Sequence, residues 1–275
     1  MIHDILRMKY PNAELTKLEG GYTNSAVLIK NIDPPLVAKI YSEHGNAPSE
    51  IKALTMLNHK YFSPHIHDCF EHDSTWCVIM DYLVGSVGQR YLDSRDMKKS
   101  HEIYRLLGFH LAKDIHSICV DNNITLPIIK LENPNMHAFV PAGLLDETNS
   151  VLGVSYPNTI SLVHGDFGPQ NIIFQPDSIK VVDWEFAGWG NPLYDIAWVV
   201  WFVHLHYPHL CKELSATFLN EYRLHSDVKI NKQLIKAFAT SRVVFILSLI
   251  SMDNIEGRDE WIKRLRWTLG TDFMD

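Results

Sequence analysis

Long apolar runs are missing from this chain. The two most extended, Ile196 to Val203 and Val243 to Ile250, fall well short of the roughly 20 residues that span a bilayer. They read as buried helices, and no membrane partner is expected. Cysteine is scarce too: Cys69, Cys77, Cys119 and Cys211 are scattered without CxxC spacing, which argues against a zinc site or a disulfide framework. Cys69 and Cys77 are expected to be two buried thiols. His204, His206 and His209 lack an acidic or cysteine partner at ligand spacing, which argues against a metal triad. The N-terminus MIHDILRMKYPN has an acid at Asp4 and no apolar core followed by small residues. It is therefore not expected to act as a secretory signal, and a cytoplasmic location follows. There is no internal repeat or low-complexity tract.

An excess of basic residues is also absent, and the formal net charge is -7. Residues 1 to 130 carry 15 acids and 14 bases, and residues 191 to 275 carry ten of each. Nearly all the excess lies between 131 and 190, where Glu132, Asp146, Glu147, Asp166, Asp177, Asp183 and Glu185 face the single base Lys180. Such a stretch would repel nucleic acid and attract a divalent metal or a cationic acceptor. Alternatively, it is a solvated acidic surface.

What is present is ordinary globular material, 275 residues of which 46% are hydrophobic and 21% charged, enough for one large core or two modest ones. Glu14 to Glu19, Ser25 to Lys30, Leu36 to Tyr41, Ile66 to Glu71 and Thr75 to Met80 are strand candidates. Gly20-Gly21, Asp33-Pro34-Pro35 and His72-Asp73-Ser74 punctuate them. One helix interrupts them from about Pro48 to Asn58, with Asn46 or Ser49 as N-cap. From about residue 86 the pattern turns helical, clearest at Ile103, Leu106, Leu107, His110, Leu111 and Ile115. Residues 131 to 158 read as an irregular connection rich in Asn, Pro and Gly. Strands follow at Ile160 to Val163, Ile172 to Gln175 and Ile179 to Asp183, and the chain from Pro192 is helical and aromatic-rich.

Between two of those strands lies the polar segment His164-Gly165-Asp166-Phe167-Gly168-Pro169-Gln170-Asn171, which packing alone does not call for. Twelve residues beyond Asn171, Val181-Val182-Asp183 ends the next strand, and a hairpin returns that end towards the loop. Asp166, Asn171 and Asp183 supply one proton acceptor and two hard oxygen ligands, which suits magnesium and a phosphate-bearing substrate. An Asp-turn explains any one of them and explains all three poorly. In the strand Leu36-Val37-Ala38-Lys39-Ile40-Tyr41 a lysine interrupts an apolar run, and an unpaired ammonium there would be costly. Glu50, Ala53, Leu54 and Leu57 share one helix face, so Glu50 lies on the apolar side and is a partner for Lys39. The competing reading is a lysine snorkelling from an edge strand. Glu19-Gly20-Gly21-Tyr22-Thr23-Asn24-Ser25 lets backbone approach a phosphate and offers two hydroxyls, or is simply a hairpin turn.

HGDFGPQN followed by VVDWE resembles the HGDxxxxN and IDWE segments of the aminoglycoside phosphotransferase and choline kinase group. It is also similar to the HRDxxxxN and DFG pair of protein kinases. The resemblance implies an α+β, protein-kinase-like fold with two lobes: residues 1 to 81 as a small antiparallel-sheet lobe, 82 to 85 as hinge, and 86 to 275 as a mainly helical lobe. It implies Asp166 as catalytic base, Asn171 and Asp183 as Mg2+ ligands, and His164 and Asp195 as supports of the loop. Asp195 sits in Asn191-Pro192-Leu193-Tyr194-Asp195-Ile196-Ala197, which resembles the group's GDPxYDLA. Lys39 would meet the α- and β-phosphates with Glu50 positioning it. Gly20, Gly21, Thr23, Asn24 and Ser25 would form the nucleotide loop, and Asp81, Tyr82 and Leu83 the hinge that binds the purine of ATP or GTP. The activity implied is phosphoryl transfer to a small-molecule hydroxyl. HGD in place of HRD, DWE in place of DFG, and the lack of an APE-bounded activation segment argue against a protein kinase. A nucleotide-binding pseudoenzyme is disfavoured by the intact Asp166, Asn171 and Asp183.

The acceptor implied first is an aminoglycoside, whose ammonium groups suit the acidic stretch. Choline would need an aromatic cage, for which Trp184, Trp189, Tyr194, Trp198 and Trp201 are candidates, although Tyr194, Trp198 and Trp201 share a helix face that reads as core. Homoserine, macrolides and fructosamines are further acceptors in the group. Asp253, Glu256, Asp259 and Glu260 are expected either to line an acceptor cleft or to form a solvated face.

Overall fold

A computed structural model describes residues 2–18, 24–42, 45–120, 126–131 and 135–274. In chain order the elements are α1 (Ile2–Lys9), β1 (Glu14–Leu18), β2 (Ser25–Lys30), β3 (Leu36–Ile40), α2 (Ala47–Met56), β4 (Ile66–His72), β5 (Thr75–Asp81), β6 (Ser86–Val87), α3 (Gln89–Asp93) and α4 (Met97–His110). Next come α5 (Ala142–Leu152), β7 (Ser161–Val163), β8 (Ile172–Gln175), β9 (Ser178–Val181), β10 (Gly188–Gly190), α6 (Leu193–His206), α7 (Cys211–His225), α8 (Lys232–Leu249) and α9 (Ile255–Gly270). The chain folds as two compact units, one of Met1–Gly88, Asp121–Pro127 and Asn171–Ala187, the other of Gln89–Val120, Ile128–Gln170 and Gly188–Asp275. This differs from the linear division expected at residues 82 to 85. The β8–β9 hairpin pairs with β6 in a three-stranded sheet, which ties residues 171–187 to the first unit.

The first unit is built on an antiparallel sheet of order β1-β2-β3-β5-β4. Alternation puts Val27, Ile29, Leu36, Ala38, Cys77 and Ile79 on a common core. Ile2 and Leu6, one turn apart on α1, close that core. This helix adds to the single one expected among the first 80 residues. Eight residues give too short a run for its periodicity to stand out. The N-cap of α2 is Asn46, whose side chain accepts the Ser49 N–H at 3.3 Å. Cys77 is buried, with its thiol pushed up to about 12 by that burial. Cys69, on the other face of its strand, is exposed, so only one of the two thiols is buried as expected.

The second unit is mainly helical. Apart from its last two residues, α6 is buried along its whole length, which explains why its sequence carries no amphipathic stripe. Helix α4 starts at an Asp96 cap and runs on through a π-helical turn, Leu111–Ile115. Gly108 lets α4 and α7 meet closely, since a Cβ there would lie 2.5 Å from the Phe218 carbonyl oxygen. Residues 131 to 158 are not irregular throughout: they contain α5 and a 3-10 turn at Met136–Ala138. Leu144 and Thr148, one turn apart, are the residues α5 buries, a signal too sparse to read. Strand β10, not expected from the sequence, pairs antiparallel with β7. None of the described helices is long and apolar enough to cross a membrane.

Candidate active site

In the first unit the expected lysine pair exists and is part of a larger set. Lys39 Nζ lies 2.5 Å from Glu50 Oε2 and 2.6 Å from Asp183 Oδ1, and β3 is an interior strand, paired with β2 and β5. The snorkelling reading, which needs an edge, is excluded. Glu50 is 1% exposed and serves three donors: Lys39 and the Tyr41 hydroxyl at Oε2, both at 2.5 Å, and the Trp184 N–H at Oε1, at 3.2 Å. Through that last bond Glu50 grips the backbone directly after Asp183. Asp183 itself adopts a left-handed backbone, φ 67° and ψ 60°, a conformation that is costly for a residue with a Cβ and that concentrates at functional positions.

Burial alone would lower the Lys39 pKa, but Glu50, Asp183 and Glu185 together hold it above the ordinary lysine value. Burial, reinforced by Glu50, pushes the Tyr41 phenol upward, so Tyr41 acts as a donor. Glu185 is buried, and burial plus the nearby Asp183 raise its pKa despite Lys39 and the N–H donors Asn46 and Asn24. The set of Lys39, Glu50, Asp183 and Glu185 thus holds three carboxylates against one ammonium. Asn171 lies at the same hairpin end as Asp183, since Val182 N–H donates to the Asn171 carbonyl at 3.0 Å. Two oxygen-bearing side chains therefore start from adjacent strand ends.

Of the expected nucleotide-loop residues, Gly20, Gly21 and Thr23 lie outside the described residues. Asn24 donates to Glu185 at 3.1 Å and accepts the Ser42 N–H at 3.1 Å, while Ser25 opens β2 opposite Ile40. At the expected hinge, Asp81 N–H is taken by His65 O at 3.1 Å and Tyr82 N–H by Pro35 O at 3.4 Å. Those two N–H groups are engaged within the fold. The Asp81 carboxylate accepts His65 N–H at 3.0 Å and lies 2.7 Å from His67 Nε2. Although burial opposes it, these contacts lower the Asp81 pKa.

In the second unit, residues 164 to 170 form a loop clamped by Asp195, at the start of α6. The Asp195 carboxylate accepts the His164 N–H at 2.7 Å and the Gly165 N–H at 2.8 Å. Gly165 has φ 83°, which suits a residue without a Cβ. Behind the clamp, His116 Nε2 lies 3.2 Å from Asp195, and its Nδ1 lies 2.8 Å from the Tyr222 hydroxyl. His164 Nδ1 accepts the Asp166 N–H at 3.2 Å. The Asp166 carboxylate accepts the Trp198 indole N–H at 2.8 Å through Oδ1, and Arg242 Nη2 stands 3.5 Å from that same oxygen.

The sequence reading missed Arg242, the Trp198 donor, Tyr41, His116 and the ties of Glu185. Arg242 was accessible by the logic that found Lys39, since it is a lone charge entering the apolar run VVFILSLI. The aromatic cage offered for choline is interior: Trp184, Trp189, Tyr194, Trp198 and Trp201 are all buried. The Arg242 guanidinium already faces the Tyr194 and Trp198 rings. The acidic stretch is divided as well, with Asp146, Glu147 and Asp166 in the second unit and Asp177, Asp183 and Glu185 in the first.

Residues 14–225 match the phosphotransferase enzyme family. The chain belongs to that family. By family it is a phosphotransferase enzyme, and its fold is kinase-like. Among solved structures, aminoglycoside phosphotransferase APH(4)-Ia, in a ternary complex with ADP and hygromycin B, superposes with a TM-score of 0.71 at 16% identity, covering 98% of each chain. The amicoumacin kinase hAmiN, with AMP-PNP and Ca2+, gives 0.70 at 12% identity over 100% of this chain and 95% of that one. A choline/ethanolamine kinase family protein from Mesorhizobium loti gives 0.68 at 15% identity, over 98% of this chain and 94% of that one. These identities show the fold alone. Among curated relatives, protein LicA of Haemophilus influenzae is 36% identical over 59 residues, 22% of this chain and 20% of LicA. Acyl-CoA dehydrogenase family member 11 of Mus musculus is 39% identical over 67 residues, 22% of this chain and 8% of the mouse protein. The match thus spans a fifth or less of these relatives' length.

Proposed function

We propose that this phosphotransferase is a small-molecule kinase that moves the γ-phosphoryl group of ATP or GTP to a hydroxyl. The observation that carries the reading is the part-buried Lys39, held at once by Glu50 from α2 and by Asp183 beyond the β8–β9 hairpin. An interior lysine fixed by two carboxylates is suited to cradle phosphates. In this reading Lys39 binds the α- and β-phosphates, Asn24 and Ser25 belong to the nucleotide loop with Gly20, Gly21 and Thr23, and Leu83 faces the purine at the hinge.

Asn171 and Asp183 fit Mg2+: both present hard oxygen donors, and three carboxylates against one ammonium leave a local excess of negative charge. Among the described residues no three His, Cys, Asp or Glu side chains converge into a metal cage, which suits an ion completed by nucleotide phosphates and water. When bound, Mg2+ neutralises charge on the phosphate oxygens. In the transfer step Asp166 takes the proton of the acceptor hydroxyl as its oxygen forms a bond to the γ-phosphorus. The bond from that phosphorus to the β–γ bridging oxygen breaks, and the electron pair leaves with ADP or GDP. His164 and Asp195 hold the loop that aims Asp166.

For the acceptor, the reading takes an aminoglycoside first, with support from the fold shared with APH(4)-Ia, whose ternary complex holds hygromycin B. A choline-like quaternary ammonium would find the rings of Tyr194 and Trp198 already faced by Arg242. A resistance phenotype does not follow from fold likeness. A coupled assay of ATP and GTP consumption against aminoglycosides, choline, homoserine, macrolides and fructosamines tests the proposal. Turnover with one of them identifies the acceptor, and no turnover with any sinks the aminoglycoside reading and favours an unlisted acceptor or a pseudoenzyme.

A further inference from the structure

Arg242 sits in the middle of α8 at 2% exposure, a permanent cation on a helix that also buries Val243, Val244 and Leu247. A guanidinium removed from water needs opposite charge or ring faces in its place. Both are present. Its Cζ stands 5.9 Å from the Tyr194 ring, 5.5 Å from Trp198 and 5.2 Å from Phe245. Its Nη2 lies 3.5 Å from Asp166 Oδ1, the oxygen that also receives the Trp198 N–H at 2.8 Å. Trp198 therefore serves both partners, its ring face against the cation and its N–H on the anion.

We propose that Arg242 and Trp198 are positioning residues that lock the Asp166 carboxylate in one orientation and keep it ionised, ready for the acceptor's proton. The proposal rests on Asp166 being the base. Among the described residues of the second unit, Asp195, Tyr194 and His164 also lie near Asp166 and do not supply that charge. Asp195, on α6, is engaged by the N–H groups of His164 and Gly165, and its charge would disfavour the Asp166 anion. Tyr194, also on α6, is a neutral phenol, raised by burial although Arg242 opposes the shift. His164, in the loop itself, accepts the Asp166 N–H through Nδ1 and so presents no proton from that nitrogen. Arg242 sets a cation against Asp166.

The test uses the full chain without an acceptor. In 15N-labelled protein, the Trp198 indole N–H is assigned among the seven tryptophans by its loss in Trp198→Phe, and it reports the charge of the carboxylate it donates to. Its resonance is expected to titrate only at low pH in the wild type and not to titrate in Asp166→Asn. Arg242→Met should move the inflection up by about one to two pH units, the effect of removing an opposite charge at this range. Arg242→Lys should return it most of the way. In Mg-ATP hydrolysis with water as acceptor, Arg242→Met and Trp198→Phe should lower kcat about tenfold at unchanged nucleotide KM. An Arg242→Met inflection within about 0.3 unit of wild type, well inside the expected shift, overturns the proposal. So does a lysine variant displaced as far as the methionine one. Should Arg242→Met fail to fold, Trp198→Phe decides, because it keeps an aromatic face for Arg242: unchanged kcat overturns the proposal, and reduced kcat at constant KM supports it. Asp166→Asn separates the two claims. Retained hydrolysis would remove Asp166 as base, whereas lost hydrolysis with an unmoved inflection would remove only the role of Arg242.

Discussion

The two units each hold a cation largely withdrawn from water against carboxylate, and the balance of charge differs between them. In the first, Lys39 faces Glu50 and Asp183 at hydrogen-bond distance, and Glu185 adds a third carboxylate whose pKa is raised by burial and by Asp183. In the second, the Asp166 carboxylate meets the Arg242 guanidinium and the Trp198 N–H. A set short of positive charge suits a metal carried in by phosphates. A carboxylate already held by donors suits a single proton transfer. In the proposed reading the first set binds the nucleotide and the second activates the acceptor.

The widest break in that comparison comes from Asp166→Asn, which should cost about 10²- to 10⁴-fold in turnover, the range for losing a general base. Nucleotide affinity should stay intact, and paired kinetics and calorimetry check both. Next is Lys39→Met, which strands the buried Glu50. Losing one partner of a buried pair costs about 3–5 kcal/mol, read by chemical denaturation, and adding Glu50→Gln should recover part of the stability without recovering turnover. Tyr41→Phe removes a donor to a buried carboxylate and should cost about 1.5–3 kcal/mol in the same denaturation series, with a smaller effect on turnover. The smallest effect is expected at Asp81, which lies outside both sets. Its folded pKa is depressed, so its contribution to stability is complete above the ordinary carboxylate value and is lost as pH falls through the folded value. The acid limb of a Tm-against-pH curve should flatten in Asp81→Asn.

How much of this was legible in the sequence follows from where each signal resides. Lys39 and Glu50 stood out because each is a charge on an apolar face, 11 residues apart, and Asp166, Asn171 and Asp183 because they crowd one short polar segment and the strand after it. Arg242 raised the same flag, yet its partner is 76 residues away, and nothing local joins them. The partners of Glu185, Asn24 and Asn46, are 161 and 139 residues away. Of the ten described strands, eight were readable to within about two residues, the usual spread of such boundaries, whereas the short β6 and β10 were not. Helix α5 was not, because residues 131 to 158 are dominated by turn formers and α5 buries little of itself.

The division of labour is tested most directly by calorimetric titration of Mg-AMP-PNP into the wild type, Asp183→Asn and Asp166→Asn. The account predicts binding weakened by more than about tenfold, at least ~1.4 kcal/mol, in Asp183→Asn and wild-type affinity in Asp166→Asn. Equal losses in both variants, or a loss confined to Asp166→Asn, would contradict it.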